Sequence, residues 1–309
     1  MRIRIAVATS VYQIKYSDNV VGEFDSDFIQ YDCRDNPEPE KREIAHMLRF
    51  YNEGIWRSQN AEHFGLVSPK FSDKSGISGK AFIDWVDANP SYDIYFVNPF
   101  PQLSYWHFNV WTQGEFWHPG LIDLANAIFA AAGLSIKVDD LPRNTASSLL
   151  YCNYWVGNEK FWRIYMAFVR KLVAAVDDLD ESDRKKLFEL APHYASATYF
   201  PFVFERLLST FLVLHGDISC LPYHYGREEI LDRCSNDMER FIINEWGEMI
   251  DSWDRSGRDD AEYRKVFANL QGMLRVYQSA VLYDGGHDPA VDKRLIDKLK
   301  RTFGLVFPR

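Results

Sequence analysis

The chain has 309 residues, of which 47% are hydrophobic and 26% charged, and its net charge is −9 at pH 7. This length and composition fit one large α/β domain or two smaller ones, with enough chain to bury a real core. The acidic balance argues against general nucleic-acid binding. The four cysteines lie far apart without a CxxC pair, which predicts free thiols in a reducing compartment. The sequence has neither a signal-peptide pattern nor an apolar run of membrane-spanning length, so we expect a cytoplasmic protein.

The first predicted element is a strand over residues 3–11, a near-continuous apolar run rich in β-branched side chains. Thr9, Ser10 and Tyr12 come where this strand is predicted to end. Ligands in open α/β sheets bind outside the carboxyl ends of strands. We therefore predict that these three residues border a nucleotide.

The elements that follow alternate between helices and strands, which predicts a sheet with helices packed on it. In order, they are an acidic loop or lid over 17–40, an amphipathic helix over 40–54, a strand over 63–71, a short helix over 79–89 and a strand over 92–97.

The stretch that follows the last of these strands mixes aromatic and polar side chains without a period. Five aromatics (Tyr105, Trp106, Trp111, Phe116 and Trp117) are interleaved with His107, Asn109, Gln113, Glu115 and His118. Flat apolar faces beside fixed donors and acceptors are typical of a pocket for a polar ligand. The alternative is an aromatic-rich core whose polar atoms are satisfied locally. Neither histidine has a partner at a recognised metal-ligand spacing, so no metal site is predicted here.

The second half of the chain is mostly helical in pattern. We predict helices over 121–132, 159–176 and 201–214, a strand or turn over 151–157, and, beyond Pro222, helices over 228–251, 261–283 and 292–303. No internal repeat or low-complexity linker is present. We therefore divide the chain into a catalytic domain over 1–222 and a helical C-terminal extension over 223–309 that packs on it.

Glu205 and Arg206 stand out because they form a charged pair within an otherwise apolar helical segment. Burying such a pair is costly unless the two groups are paired or used. One reading is a structural ion pair. The other places Glu205 in a polar cleft, where it acts on an acceptor hydroxyl as a base or hydrogen-bond partner. The segment over 153–158, with Asn153 and Trp155 beside a glycine, could line a sugar site. Alternatively, Gly157-Asn158 is only a turn before the next helix.

Several nucleotide and hydrolase signatures are missing from the chain. It has no GxxxxGK[ST], no GxGxxG and no GxSxG. This argues against P-loop chemistry, a Rossmann dehydrogenase and a hydrolase with a nucleophile elbow.

The order of motifs resembles bacterial polysaccharide glycosyltransferases of the capsule and O-antigen type, which have a GT-A-like fold that binds a nucleotide sugar. The resemblance covers roughly residues 1–216 and rests on IRIAVATSVYQ, a helix with Glu43 and Tyr51, HFGLVSPKF, YDIYFVNP, NYWVGNEKFWRIY and YFPFVFERLLSTFLVLHG. It implies sugar transfer from a nucleotide-sugar donor to a glycan or lipid-linked acceptor in surface-polysaccharide synthesis.

The resemblance also assigns expected roles to individual residues. Glu205 and Glu115 are the expected catalytic groups. The nucleotide and its phosphates are expected at Thr9, Ser10, Tyr12, Lys70 and Asn98, and the sugars at His107, Asn109, Gln113, His118, Asn153, Trp155 and Arg206.

One departure from the family pattern concerns the metal. Where metal-dependent members carry D-x-D after the strand corresponding to YDIYFV, this chain has Val97-Asn98-Pro99. Mn²⁺ or Mg²⁺ is therefore not expected, and the diphosphate would be neutralised by basic side chains and backbone N–H groups. Lys70, Lys74, Lys80 and Arg143 are the candidate cations. The same departure leaves open a non-catalytic carbohydrate-binding or scaffold protein of the same pathway.

The C-terminal segment over 291–309 is basic and amphipathic in an otherwise acidic chain. Such a helix can lie on an anionic membrane surface, which would suit a peripheral enzyme of the inner membrane with a lipid-linked acceptor. Alternatively, its apolar side docks on the catalytic domain.

Overall fold

The computed structural model describes residues 9–19, 24–192, 196–283 and 298. Within them the chain forms a mixed six-stranded sheet flanked by helices, which confirms the predicted α/β class. Residues 3–8 of the first predicted strand lie outside the described part. So does the C-terminal segment over 291–309, with its predicted helix, apart from Lys298.

The sheet has the strand order β2-β1-β3-β5-β4-β6. Its strands are β1 (Thr9–Lys15), β2 (Ile29–Asp32), β3 (His63–Val67), β4 (Ile94–Phe96), β5 (Trp155–Asn158) and β6 (Cys220–Pro222). β5 is antiparallel to both of its neighbours, with Gly157 opposite Phe64 on one side and Ile94 on the other. The pairs β1–β2, β1–β3 and β4–β6 are parallel. The carboxyl ends of the five other strands therefore meet at one edge of the sheet, together with the amino end of β5.

The helices of the described chain pack on the sheet and on one another. They are α1 (Glu43–Asn52), α2 (Phe71–Ser75), α3 (Gly79–Ala88), α4 (Val110–Trp117), α5 (Leu121–Ala131), α6 (Glu159–Ala175), α7 (Glu181–Leu187), α8 (Tyr199–Phe204), α9 (Leu207–Leu214), α10 (Arg227–Asp232), α11 (Asp237–Ser256) and α12 (Ala261–Tyr283).

The two faces of the sheet have separate cores, because successive side chains of a strand point to opposite faces. Phe64 and Leu66 of β3 join a large core with α1, α5, α6, α8 and α9. Val67 lies in a smaller core with Phe82 and Val86 of α3. A third core joins residues 105–116 to α10, α11 and α12.

Several elements differ from the sequence predictions. β1 continues to Lys15 instead of ending before Tyr12. The predicted lid contains β2, whose Tyr31 is buried beside Phe50 of α1. The predicted helix over 228–251 is two helices, because Asn236 caps a new helix start by accepting a hydrogen bond from the N–H of Glu239. Helix α4 forms despite Gly114, since Asn109 and Thr112 make a capping box at its start.

Candidate functional site

Polar and aromatic side chains gather where the parallel strands end. We call this group the edge site and define it as Glu43, Lys74, Tyr151, Cys152, Tyr154 and Glu205. Tyr154 immediately precedes β5, and its hydroxyl lies 3.2 Å from Oγ of Ser68, which follows β3. Electrostatic coupling links Glu205 to Glu43 and Lys74, and Cys152 to the same three groups. Four separate chain segments therefore converge at this edge of the sheet.

Glu205 reaches the edge site because the predicted helix over 201–214 is broken. Helix α8 ends at Phe204 and α9 begins at Leu207, with Glu205 and Arg206 in the turn between them. In a continuous α-helix the backbone N–H of Arg206 would donate to the carbonyl of Phe202, four residues earlier. Here the Arg206 guanidinium donates to that carbonyl, and the Arg206 backbone N–H donates to the carbonyl of Val203. The prediction of one continuous helix is thus wrong, because a side chain competes for the helix's own acceptor.

Arg206 is 1% exposed and every one of its guanidinium nitrogens has an acceptor. Nε donates to the carbonyl of Val110 at 3.0 Å, and Nη2 donates to Oε1 of Gln113 at 2.6 Å. Nη1 donates to Oε1 of Glu205 at 2.8 Å. Arg206 and Gln113, both predicted to bind substrate, are therefore hydrogen-bonded to each other. Arg206 anchors Glu205 against α4.

Glu205 itself retains an accessible oxygen. Its side chain is 26% exposed, and among the described residues only Oε1 has a hydrogen-bond partner. Burial raises the pKa of Glu205 to about 7, an effect that the Arg206 and Lys74 charges oppose and Glu43 reinforces. A carboxyl with this pKa takes up and releases a proton near neutral pH, as a general base requires.

Tyr151 lies beside this carboxyl. Its ring stacks on Phe100 with centroids 5.8 Å apart and an interplanar angle of 16°, and the Arg206 guanidinium lies 5.5 Å from its centroid. Burial, with Cys152 and Glu205 nearby, holds the pKa of the Tyr151 hydroxyl well above its usual range. The edge site therefore contains a neutral phenol next to a titrating carboxyl. The Lys74 ammonium, 6.0 Å from the Phe100 centroid, adds positive charge.

Apart from Trp117, which is 44% exposed, the aromatic-polar stretch over 105–118 is mostly buried core. Asn109 caps α4 and donates to the carbonyl of Leu141. Both oxygens of Glu115 accept backbone N–H groups at the start of α5, from Gly120 at 2.7 Å and Ile122 at 3.0 Å. The predicted pocket is thus wrong for these residues, because local backbone groups take up their polar atoms.

The two histidines of this stretch are also enclosed. Nδ1 of His118 lies 3.0 Å from the carbonyl of Pro192, and its ring stacks on Phe202. His107 is completely buried, with Nδ1 2.6 Å from Nε2 of Gln271. Burial and three nearby arginines hold the pKa of His107 well below its usual range, so the ring is neutral. The two histidine rings therefore lie in different cores.

The residues predicted to border the nucleotide are dispersed. Thr9 and Ser10 lie at the opposite end of β1 from the edge site, where Thr9 donates to Asp87 at 2.6 Å. Tyr12 is a core residue whose hydroxyl lies 3.0 Å from Oγ of Ser58. The prediction that these three sit at a strand's carboxyl end is wrong because β1 continues to Lys15. Lys70 does follow the carboxyl end of β3.

Other residues predicted to bind ligand lie near the edge of the sheet that carries the edge site, and they differ in how many of their polar atoms are hydrogen-bonded. Asn98 follows β4, and its Oδ1 accepts the N–H of Phe100 at 3.0 Å. Asn153 is 9% exposed, and its Oδ1 has no partner among the described residues. Trp155 is in the main core, where its ring meets Phe161 and Tyr165 edge-on and Trp162 at a tilt. Of the candidate cations, Arg143 is paired with Asp254 and Lys80 with Asp84.

Tyr151 and Cys152 were not predicted as site residues, Tyr154 was predicted only as part of the segment over 153–158, and Glu43 was given no role. Residues 151–157 had been recognised as a strand or turn, but nothing in the sequence shows that this strand runs antiparallel. That direction brings the residues before the strand, not those after it, to the edge site.

A groove of about 380 Å³ lies elsewhere, among α1, α6, α7 and α8. Its basic rim residues are already engaged: Lys41 pairs with Glu38, Arg184 with Asp177, and Arg170 donates to Asn52. Neither Glu205 nor Tyr151 lines it. This groove and the edge site are therefore separate.

In the part of the chain that the structure describes, no cluster of three or more His, Cys, Asp or Glu side chains could hold a metal ion. Every helix described there is too short or too polar to cross a lipid bilayer. Comparison of the chain with protein-family models, curated proteins and solved structures finds no match.

Proposed function

We propose that this chain is a glycosyltransferase that moves a sugar from a nucleotide-sugar donor to a hydroxyl of a glycan or lipid-linked acceptor. The observation that carries the proposal is Glu205, a carboxyl with an accessible Oε2 and a pKa near 7, held at the edge of the sheet where ligands of open α/β sheets bind. The mixed sheet supports the GT-A-like fold that the sequence resemblance implies.

In the proposed reaction, Oε2 of Glu205 takes the proton of the acceptor hydroxyl. The acceptor oxygen then bonds to the anomeric carbon of the donor sugar. The bond from that carbon to the diphosphate oxygen breaks, and its electron pair leaves with the nucleoside diphosphate. Lys70 and Lys74 are the described basic residues best placed to stabilise the negative charge that develops on the leaving group.

The proposal is tested first by ligand binding. A thermal-shift screen with UDP, GDP, CMP and their sugar conjugates should find one nucleotide that raises the melting temperature. Because Asn98 replaces a carboxylate, we expect EDTA to leave this stabilisation in place. Stabilisation that disappears with EDTA and returns with Mn²⁺ would contradict the metal-independent reading.

Turnover supplies the decisive test. With the donor that binds and a mixture of glycan and lipid-linked acceptors, Glu205→Gln should lower nucleotide release by about 10²-fold or more while donor binding persists. Glu248→Gln, at an exposed position on α11, is the matched control and should leave turnover unchanged. If Glu205→Gln turns over normally, the proposed mechanism fails. Sugar binding without any turnover would instead favour a non-catalytic carbohydrate-binding protein.

A further inference from the structure

Two polar atoms of the edge site lack partners within the described residues: the Tyr151 hydroxyl and Oε2 of Glu205. Neither is among the buried side-chain atoms that are sealed from solvent without a hydrogen bond. Both atoms therefore contact solvent.

Their relative placement is fixed by one buried group. The Arg206 guanidinium donates to Glu205 and also lies 5.5 Å from the Tyr151 ring centroid. Phe100 stacks on the Tyr151 ring. Since Arg206 is itself bonded to Val110, Phe202 and Gln113, the carboxyl and the phenol are held by the same rigid framework.

The two groups also have complementary hydrogen-bonding roles. The Tyr151 phenol stays protonated at physiological pH because burial holds its pKa far above neutrality, so it can donate. The ionised Glu205 carboxylate can only accept. A donor and an acceptor held around one guanidinium match two neighbouring hydroxyls, where one oxygen accepts while the other donates.

We propose that Tyr151 is a second substrate-contacting residue, and that its hydroxyl and the Glu205 carboxylate together bind two adjacent hydroxyls of a sugar ring. This deepens the proposed function by naming the acceptor chemistry of the same site. One hydroxyl is the nucleophile that loses its proton to Glu205, and its neighbour accepts the hydrogen bond from Tyr151.

The test uses the full chain with methyl glucoside, galactoside and mannoside as probes, with and without the stabilising nucleotide, and binding measured by ligand-observed NMR titration. Tyr151→Phe should weaken the best probe by about 5–10-fold, the effect of one hydrogen bond. Tyr165→Phe is the matched control, because its buried hydroxyl lies in the main core. It should bind the probe as the wild type does.

Monodeoxy analogues of that probe identify the contact. The analogue that lacks the hydroxyl bound by Tyr151 should bind the wild type about 5–10-fold more weakly than the parent probe, and should bind Tyr151→Phe as well as the parent probe does. The analogue that lacks the neighbouring hydroxyl should lose affinity for the wild type through the missing contact with Glu205. If Tyr151→Phe fails to fold, the affinities of the monodeoxy analogues for the wild type decide. Weaker binding of the analogues at two adjacent positions supports the inference, and weaker binding at one position or none overturns it.

Wild-type protein that binds none of the three probes also overturns the inference. Its failure is distinguishable from failure of the proposed function. Normal kcat and KM in Tyr151→Phe, with turnover lost in Glu205→Gln, would refute the Tyr151 contact and keep the transferase. Pyranoside binding through both residues without any sugar transfer would support the Tyr151 contact and refute the transferase.

Discussion

Glu205 combines two properties that oppose each other: its position requires partial burial, and its proposed chemistry requires ionisation. Burial disfavours the charged form, while Arg206 and Lys74 favour it. The pKa near 7 results from this balance. The folded protein therefore keeps a proton on Glu205 at pH values where the unfolded chain has already released it.

This linkage predicts how stability varies with pH. The ordinary pKa of 4.5 is raised to about 7 on folding, so the Glu205 contribution falls as pH rises from about 4.5 to about 7. The full difference corresponds to about 3 kcal/mol. Glu205→Gln removes the titrating group and keeps an oxygen that can accept from Arg206. We expect the variant to gain stability relative to the wild type at pH 8 but not at pH 4.5.

Urea unfolding at both pH values measures this difference. An equal effect of the substitution at pH 4.5 and pH 8 would show that Glu205 does not titrate in this range.

Gly114 tests the framework behind Glu205. A methyl group added there would lie 2.5 Å from Nε of Arg206 and 2.8 Å from Cδ2 of Leu121, and the buried arginine has no room to withdraw. We expect Gly114→Ala to cost about 1–3 kcal/mol of unfolding free energy. It should also lower turnover with little effect on donor binding.

Gly272→Ala in α12 is the control, since no described atom beyond the local helix backbone lies within 4 Å of the added carbon. As an alanine within a helix it should stabilise by about 0.5–1 kcal/mol. Equal unfolding free energies for the two variants would argue against the tight contact at Gly114.

At the scale of elements, the carboxylate of Glu115 stabilises the start of α5. The first N–H groups of a helix have no partner within the helix, and Glu115 accepts hydrogen bonds from two N–H groups of this region. Its negative charge also interacts favourably with the positive end of the helix dipole. Glu115 was predicted to be catalytic. Its contacts instead favour a structural role.

We expect Glu115→Ala to lower the unfolding free energy by about 1–2 kcal/mol, as the loss of a helix cap does. Its kcat should stay close to that of the wild type, in contrast to Glu205→Gln. Guanidinium unfolding and a turnover assay on the same preparation separate the two effects. A large fall in kcat with unchanged stability would restore the catalytic role.

Local patterns in the sequence predicted many elements well. Leu121 to Ala131 is helical as predicted, and the strand over 92–97 contains β4. These segments carry their own periodicity and their own stop signals at Gly133 and at Asn98-Pro99. Where one face of a segment is apolar, tertiary contacts reinforce the local preference.

The failures share a different cause. The break at Glu205 depends on Arg206 reaching Val110 and Gln113, nearly a hundred residues earlier in the chain. The role of Tyr151 depends on the direction of a strand, which periodicity does not encode. The predicted pocket over 105–118 failed because a polar side chain that caps a helix and one that binds a ligand look alike in a sequence.

At the scale of the whole molecule, the described helices after residue 222 share their core with earlier residues. Trp106 and Phe108 share the third core with Ile242 of α11 and Phe267 of α12. Arg143 spans the same boundary through Asp254, with both side chains nearly buried.

Truncation after residue 222 should therefore damage the rest of the protein. It would expose the aromatic side of residues 105–116 and leave the buried Arg143 without its carboxylate, and losing one partner of such a pair is strongly destabilising. We expect the truncated chain to bind ANS and to lose cooperative unfolding. A truncated chain that unfolds cooperatively and binds no ANS would show that residues 1–222 fold independently.

The reversed strand β5 also constrains the order in which the molecule can assemble. β4 pairs with β5 and β6 but not with β3, so it is synthesised some sixty residues before its nearest partner strand. β5 also lies close against β3, because a side-chain carbon at Gly65 would meet the Trp155 carbonyl at 2.2 Å. On the ribosome, residues 94–96 must therefore wait for residues 155–158. Because Glu205 is synthesised later still, the edge site is completed only after β5 has emerged.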